Sequence, residues 1–356
     1  MAGRRSDAML AALAAVAPGT PLREGIDRVL QSGMGALVVM GDGPEVLSIC
    51  SGGFLLDAAF SPQRLSELAK MDGAIVLAPD AARIARANVH LVPDRAAPTS
   101  ETGTRHRTAE RVARSVGVPV ISVSEDMSII AVYLGDEKHQ LVPVPRLLDR
   151  ANQAMKTLER YRDRLTEVST SLSALEIEGL VTVRDVVVML QRTEMVLRIA
   201  DEIDADIIEL GSDGRLFQLQ LEEAIAGVAA ERRLVVLDYL HEENDWHFAE
   251  ASAGLADLDM EELLDLGAVA AVLHLEGSPE LDASVQPKGY RMLSRIPRLP
   301  ASVIGRVVER FGTLDAILRA TERELESVGG VGDQRARAII DGLARLSEQS
   351  ILDRWA

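Results

Sequence analysis

A single cysteine, four lysines and an aromatic content of 3% set the first limits on this chain. Cys50 has no second cysteine to pair with, so no internal disulfide forms and a reducing compartment is expected. With 47% hydrophobic residues but few rings, any core must be aliphatic, built from Ala, Val, Leu and Ile. No apolar run approaches the ~20 residues that a membrane helix needs. Gly-x-x-x-x-Gly-Lys-Ser/Thr, His-Glu-x-x-His, Gly-x-Ser-x-Gly and paired cysteines are all missing. Their absence excludes a Walker loop, the common zinc signatures and a nucleophile elbow. No aromatic platform exists on which bases would stack, so recognition of RNA or single strands is not expected.

The 356 residues suffice for two or three domains. The formal charge of −17 argues against a simple nucleic-acid binder, but its distribution matters more than its sum. Residues 1–150 sum to about −1, residues 151–285 to about −19 and residues 286–356 to about +3. Three parts with different partners are expected. Residues 1–17 imitate a secretory signal, with Arg4-Arg5 before an alanine-leucine run. Asp7 interrupts that pattern and Pro18-Gly19 closes it, so it reads as a short amphipathic helix. The expectation is a soluble, cytoplasmic protein.

The first 150 residues mix apolar strands with helices. Helical patterns cover 7–17 and 22–31. Residues 35–40 read as a buried strand, with 45–50 as its partner across the turn Gly41-Asp42-Gly43-Pro44. Ser61-Pro62 opens a helix to Lys70, 73–78 is a strand, and 104–116 is a helix stopped by Gly117. Strands at 118–123 and 128–134 flank Ser124-Glu125-Asp126. This is an α/β domain with a central sheet. Beyond Arg146 strands vanish. Leu148, Ala151, Met155, Leu158, Arg162, Leu165, Ser169 and Leu172 step by three and four along one helical seam. An ordinary helix packed on its own domain and an intermolecular coiled coil both satisfy that spacing. Helical patterns follow at 183–208 and 212–230. Asp201, Glu202, Asp204 and Asp206 read as a solvated acidic face rather than a metal cluster, since no His or Cys accompanies them.

Two segments carry chemistry. Gly103-Thr104-Arg105-His106-Arg107-Thr108 opens the 104–116 helix. A helix N-terminus presents unpaired N–H groups and partial positive charge, which suits phosphate. Thr104 and Thr108 add hydroxyls, Arg105 and Arg107 add planar forks, and His106 can donate a hydrogen bond or, when charged, a proton. Two arginines oppose the local dipole, a cost that an anion would relieve. Asp72-Gly73-Ala74 supplies a carboxylate at a strand start, able to hold Mg2+ or Mn2+ or to accept a proton from a sugar hydroxyl. Gly73 permits close approach to the backbone, as Ser51-Gly52-Gly53 also would.

Taken together, Asp72-Gly73-Ala74, Val89-His90-Leu91-Val92-Pro93-Asp94 and 103–111 resemble the signature of the diadenylate cyclase family. The resemblance implies an α/β cyclase domain with a central mixed sheet over 1–145, an all-α linker domain over 146–285 and a helix-hairpin-helix domain over 286–356. It implies condensation of two ATP into cyclic di-AMP and two pyrophosphates. Asp72, Arg105, His106 and Arg107 would be catalytic, with Asp72 on Mg2+ or Mn2+. Gly73, Leu91, Gly103, Thr104, Arg105, His106, Arg107, Thr108 and Ser124 would bind ATP, Leu91 at adenine and Ser124 at phosphate. Because the product is two-fold symmetric, two domains must face each other. A homo-oligomer is implied, an octamer in this family.

In the tail, Gly330-Val331-Gly332 resembles a helix-hairpin-helix turn, with Val331 as its anchor and Arg335 and Arg337 in the next helix. Leu299-Pro300 takes the equivalent place in a degenerate first hairpin beside Arg295 and Arg298. Such turns read phosphates without base sequence; the family resemblance implies branched DNA such as Holliday junctions as the partner. An alternative from another class is a junction-binding scaffold that senses ATP without turning it over.

Overall fold

The computed structural model describes residues 5–124, 129–240, 248–273 and 281–353. They fall into two compact units, one of residues 1–154 with 202–220 and one of residues 155–201 with 221–356.

The first unit is built on a mixed sheet. Its strands are β1 (Ala36–Met40), β2 (Cys50–Ser51), β3 (Phe54–Ala59), β4 (Ala74–Leu77), β5 (Arg83–Leu91), β6 (Val120–Val123), β7 (Ile130–Leu134) and β8 (Glu137–Gln140). Their order is β2-β5-β4-β1-β6-β7-β8, with β3 also paired to β5. β1 and β4 are parallel and the remaining pairs antiparallel. Helices α1 (Asp7–Ala15), α2 (Pro21–Gln31), α3 (Pro44–Ser48), α4 (Pro62–Leu68) and α5 (Thr104–Val116) cover the two faces. Successive strand residues point to opposite faces. Val38, Ile75 and Ile121 therefore pack with Leu13, Ile26 and Leu65 from α1, α2 and α4. Val39, Val76 and Val120 pack with Val46 of α3 and with Ala109, Val112 and Ala113 of α5. The core is aliphatic, as the composition requires.

Three parts of the chain depart from the sequence expectation. Residues 45–50 are not the hairpin partner of β1. Gly43 is the N-cap and Pro44 the first residue of α3, a position for which the fixed φ of proline is suited. β1 pairs instead with β4 and β6. Strands β3, β5 and β8 were not anticipated. In β5 the register against β4 slips between Val76 and Leu77, so Ile84 and Ala85 are both buried and strict alternation is lost. The helical pattern at 212–230 is broken. A 3-10 turn (Gly211–Gly214) leads into a helix over Arg215–Ala224, and Gly227 at φ 77° separates that helix from the next.

The long helices α6 (Val144–Glu178) and α7 (Val183–Leu210) run through both units, and the broken segment gives α8 (Arg215–Ala224) and α9 (Val228–Tyr239). The α6 seam packs on its own chain: Ala151, Met155, Leu158, Leu165 and Leu172 are buried, with Leu147 buried where Leu148 was expected. The two polar seam positions have partners. Arg162 donates to the Ala226 carbonyl, and Ser169 donates to Glu231. Of the acidic face on α7, Asp206 is buried and receives the Arg150 guanidinium, Nε lying 2.6 Å from Oδ2.

The second unit continues through α10 (Phe248–Asp257), α11 (Met260–Leu264), α12 (Leu266–Val272), α13 (Tyr290–Ser294), α14 (Ala301–Phe311), α15 (Leu314–Leu318), α16 (Glu322–Glu326) and α17 (Asp333–Asp353). Among its described residues there is no strand, only an isolated bridge between Thr182 and Ser284. Helices α13 and α14 are joined by a turn in which Ile296 is buried and Arg298 has φ 63°. Helices α16 and α17 are joined by a matching turn in which Val328 is buried and Gly330 has φ 88°. Leu299 and Val331 follow the left-handed residue in each turn, and both pack into the same aliphatic core.

A buried ionic cluster ties α13 to α6 and α9. The fully buried Arg291 places Nη1 2.6 Å from Glu176 and Nε 2.8 Å from Glu231, and Nη2 donates to the Ser169 carbonyl and hydroxyl. Asp238 accepts the backbone N–H groups of Gly289, Tyr290 and Arg291 at 2.7, 2.6 and 2.8 Å. Burial and the nearby Glu176 push the Asp238 carboxyl up to about 7. Removing one partner from such a cluster strands buried charge, at a cost of about 3–5 kcal/mol. Arg291→Met is therefore expected to destabilise the second unit by that order, read as a lower denaturant midpoint. An unchanged midpoint would show that the cluster contributes nothing.

Candidate active site

Helix α5 begins in a cleft at the strand ends of the first unit's sheet, where β1 and β4 start and β5 finishes. Gly103, its N-cap, offers no side chain to the first N–H groups, and the opening turn contains no acidic residue. Its far end closes at Gly117 in the left-handed conformation, φ 65°, as the sequence indicated. The tip of α5 therefore keeps its unpaired donors and its partial positive charge, and both face an anion that would sit there.

The cleft has a volume of about 190 Å³. Of the residues singled out in the sequence, Asp72, Gly73, Leu91, Thr104, Arg105 and Thr108 line it. Three elements bring them together: the approach to β4, the end of β5 and the first turn of α5. Asp72 Oδ1 lies 3.2 Å from Arg105 Nη2, and the Asp72 side chain is 94% exposed. An ion pair this exposed is worth ~1 kcal/mol or less, so an entering phosphate or cation separates it easily. Thr108 donates to the Thr104 carbonyl at 2.9 Å, which leaves its oxygen as an acceptor.

Other candidates lie beside the cleft and do not line it. Arg107 is exposed and donates to the Thr102 carbonyl at 2.8 Å. His106 turns back against β7, where Nδ1 is 3.0 Å from the Tyr133 hydroxyl. Burial holds the His106 imidazolium pKa below its ordinary value, which favours the neutral ring that donates a hydrogen bond over the charged one that could give up a proton. Ser124 follows β6, its N–H donated to the Ile129 carbonyl at 2.8 Å; Glu125 and Asp126 lie outside the described residues.

Two glycines have steric reasons that the sequence reading did not find. A Cβ on Gly35 would lie 2.4 Å from Arg105 Nη1, so this glycine makes the space in which the guanidinium sits. A Cβ on Gly73 would lie 2.6 Å from the Cα of Asn88 on β5. Gly73 is therefore demanded by strand packing as well as by the cleft. Val89 and His90, quoted in the motif around Leu91 without a role, also line the cleft, as do Ala36, Leu37 and Met71, which were not picked out. Ala36 and Leu37 signalled only a strand, and Met71 only its place before Asp72.

A divalent cation fits this set of donors. Asp72 offers a hard carboxylate at the cleft mouth beside a helix tip that would hold phosphates. Mg2+ and Mn2+ are commonly held by one or two carboxylates together with substrate phosphate oxygens.

In the second unit, Val331 is 5% exposed and anchors its turn as expected. Arg335 donates to the Gly330 carbonyl at 2.6 Å, and Arg306, not foreseen, donates to the Gly329 carbonyl. Arg337 pairs with Glu322 and Asp333, both at 2.7 Å. Arg298 is exposed. Arg295 is exposed as well and lies 3.8 Å from Glu231, at the rim of the ionic cluster.

Residues 23–138 match the family described as DisA bacterial checkpoint controller nucleotide-binding, and residues 141–281 match that described as DisA bacterial checkpoint controller linker region. The DNA integrity scanning protein DisA of Acidothermus cellulolyticus is 55% identical over 348 residues, which span 97% of this chain and 95% of that one. Its counterpart in a Parafrankia species is 54% identical over 100% of both chains. That of Streptomyces coelicolor is 53% identical over 98% of this chain and 94% of its own.

Proposed function

We propose a reaction course, an assembly and a partner on the premise that the chain belongs to the DNA integrity scanning protein (DisA) family and is a diadenylate cyclase. The observation that carries the reading is the convergence of Asp72 and the uncapped, arginine-bearing tip of α5 on one cleft. The substrate is ATP and the product cyclic di-AMP with two pyrophosphates. The 3′-oxygen of each nucleotide attacks the α-phosphorus of the other. Two P–O bonds form, two bonds to pyrophosphate break, and each attacking hydroxyl gives up its proton. Reactions of this kind are accelerated chiefly by positioning and charge neutralisation.

Thr104, Arg105 and the first N–H groups of α5 would hold the triphosphate, with Thr108 beside them and Arg107 free to swing from the Thr102 carbonyl. Gly103 keeps the tip open. Leu91 and the apolar strand residues around it would receive adenine, and Ser124 would meet phosphate from the end of β6. Asp72 would hold Mg2+ or Mn2+ and take or orient the proton of the 3′-hydroxyl. The divalent ion that this family uses supplies neutralisation of phosphate charge when bound.

Two features favour catalysis between subunits. A cleft of about 190 Å³ falls below the ~300–1,000 Å³ usual for a ligand-sized pocket, so one chain supplies only part of the enclosure. Strand β3 borders the same region through β5 and exposes Phe54 at 55%, Leu55 at 71% and Leu56 at 38%. An apolar edge of this kind calls for a partner. A second copy of the same face satisfies both the edge and the symmetry of the product, within the octamer expected of the family.

The paired hairpins of the second unit support a helix-hairpin-helix domain that grips phosphates of branched DNA, with Arg298, Arg335 and Arg337 beside the turns formed by Gly330, Val331 and Gly332. The division into cyclase (1–145), linker (146–285) and DNA-binding (286–356) domains belongs to the same reading. Cytoplasmic action accords with it, and among the described residues no helix is long and apolar enough to cross a membrane.

Incubation with ATP and Mg2+ or Mn2+ should yield cyclic di-AMP, whereas a scaffold that only senses ATP returns the triphosphate. Asp72→Asn should lower product formation on the order of 10²-fold or more while ATP still binds; full turnover would remove the assigned role of the carboxylate. Holliday-junction DNA should change the rate of product formation and linear duplex should change it less. Raising salt should abolish the difference, because the contacts are to phosphates. Equal rates with and without junction would remove the regulatory link and leave the enzyme.

A further inference from the structure

His106 is the third residue of α5, yet its ring points away from the cleft. It packs at 58° against the ring of Tyr133 on β7, with centroids 6.3 Å apart. The Tyr133 hydroxyl lies between two groups: His106 Nδ1 at 3.0 Å and Glu101 Oε1 at 2.9 Å. Lys138 of β8 pairs with Glu101 and sits 5.8 Å from the centre of the Tyr133 ring. The direction of each hydrogen bond follows from the chemistry. Lys138 and Tyr133 keep the Glu101 carboxyl ionised by holding its pKa below the ordinary value, and an ionised carboxylate only accepts. Tyr133, itself held protonated by burial and by Glu101, must give its one hydrogen to that carboxylate. Its oxygen then accepts from His106, so the hydrogen of the neutral imidazole is on Nδ1 and not on Nε2. His106 Nε2 is buried and has no partner among the described residues.

The same loop is strapped to α5 along its length. Glu110 accepts from Thr99 Oγ1 at 2.6 Å and from the Ser100 N–H at 3.0 Å. Arg111 and Arg114 donate to the carbonyls of Ala97 and Pro98, and Arg107 to that of Thr102. Glu101 is the member of this loop that reaches the sheet. The chain Glu101–Tyr133–His106 therefore joins loop, sheet and helix tip at the turn that faces the cleft.

We propose that Tyr133 and Glu101 are positioning residues of the cyclase, fixing His106 as the Nδ1–H tautomer so that the opening turn of α5 meets the triphosphate in one orientation. His106 then serves the reaction by holding Thr104 and Arg105 in place, and not by contacting phosphate. The inference rests on the reading of the α5 tip as the triphosphate grip.

Tyr133→Phe tests it, because the ring and its packing stay while the hydroxyl goes. The kcat for cyclic di-AMP should fall tenfold to a hundredfold, with the Kd for ATP changed less than threefold. In the nitrogen-15 spectrum of the imidazole, wild-type His106 should show protonated Nδ1 and unprotonated Nε2, and Tyr133→Phe should mix the tautomers. His106→Asn keeps a donor where Nδ1–H lies, and should retain at least tenfold more activity than His106→Gln, which does not. A folded Tyr133→Phe enzyme with wild-type kcat, or His106 protonated on Nε2 in the wild type, overturns the proposal. So does greater activity in His106→Gln than in His106→Asn. If Tyr133→Phe fails to fold, the wild-type spectrum and the His106 pair still decide. Arg105→Ala separates the premise: unchanged ATP affinity in that variant removes the grip, whereas weakened affinity with a normal Tyr133→Phe removes only the positioning role.

Discussion

The open N-terminus of α5 is the constraint from which the rest of the site follows. A helix start without a capping side chain leaves several N–H groups unpaired, and placing Arg105 and Arg107 in that same turn adds positive charge where the dipole is already positive. The arrangement is unfavourable until an anion arrives. Much of the first unit holds it in place even so. Gly35 clears the volume for the Arg105 guanidinium, Gly117 ends the helix, and Glu110, Arg111 and Arg114 hold the preceding loop against the helix side. The exposed Asp72–Arg105 pair keeps the two charges together at little cost to their later separation.

The geometry of the reaction imposes a second constraint. A two-fold product built from two identical nucleotides asks for two identical half-sites, and a shallow cleft beside an apolar edge strand is suited to being one of them. On this view the exposed side chains of β3 and the small cleft volume have a common cause. Under the proposed assembly, a surface that would be a liability on a monomer would be covered by another copy. The second unit is organised differently, around a fully buried arginine whose hydrogen bonds reach α6 and α9. The hairpins thereby gain a rigid base from the helices that precede them.

Much of the first unit could be read from the chain because its signals are local. Gly103 before the apolar period of 104–116 and Gly117 after it located α5 to the residue, and Ser61-Pro62 located α4. Asp72 and the α5 tip were matched as motifs, and the structure brings them to one cleft. What escaped depends on contacts between distant residues. β5 was hidden because a register slip spoils its alternation at Ile84 and Ala85. The turn proline at 44 was read as a hairpin when its neighbours make it a helix start. Glu101 and Tyr133 are separated by 32 positions, and nothing in either segment signals the other. His106 sat inside a phosphate-binding motif, and only the packing against β7 reveals that its ring faces the opposite way. Arg295 is exposed as the sequence suggested, but its approach to the half-buried Glu231, 64 positions away, had no local signal.

The central claim is that each ring closure needs two subunits. The direct measurement is cyclic di-AMP formation per subunit over a dilution series that crosses the dissociation of the assembly, with ATP occupancy and native mass followed in parallel. The account predicts that product per subunit collapses as the assembly comes apart while each dissociated chain still holds ATP. A rate per subunit that stays constant down to the isolated chain would contradict it.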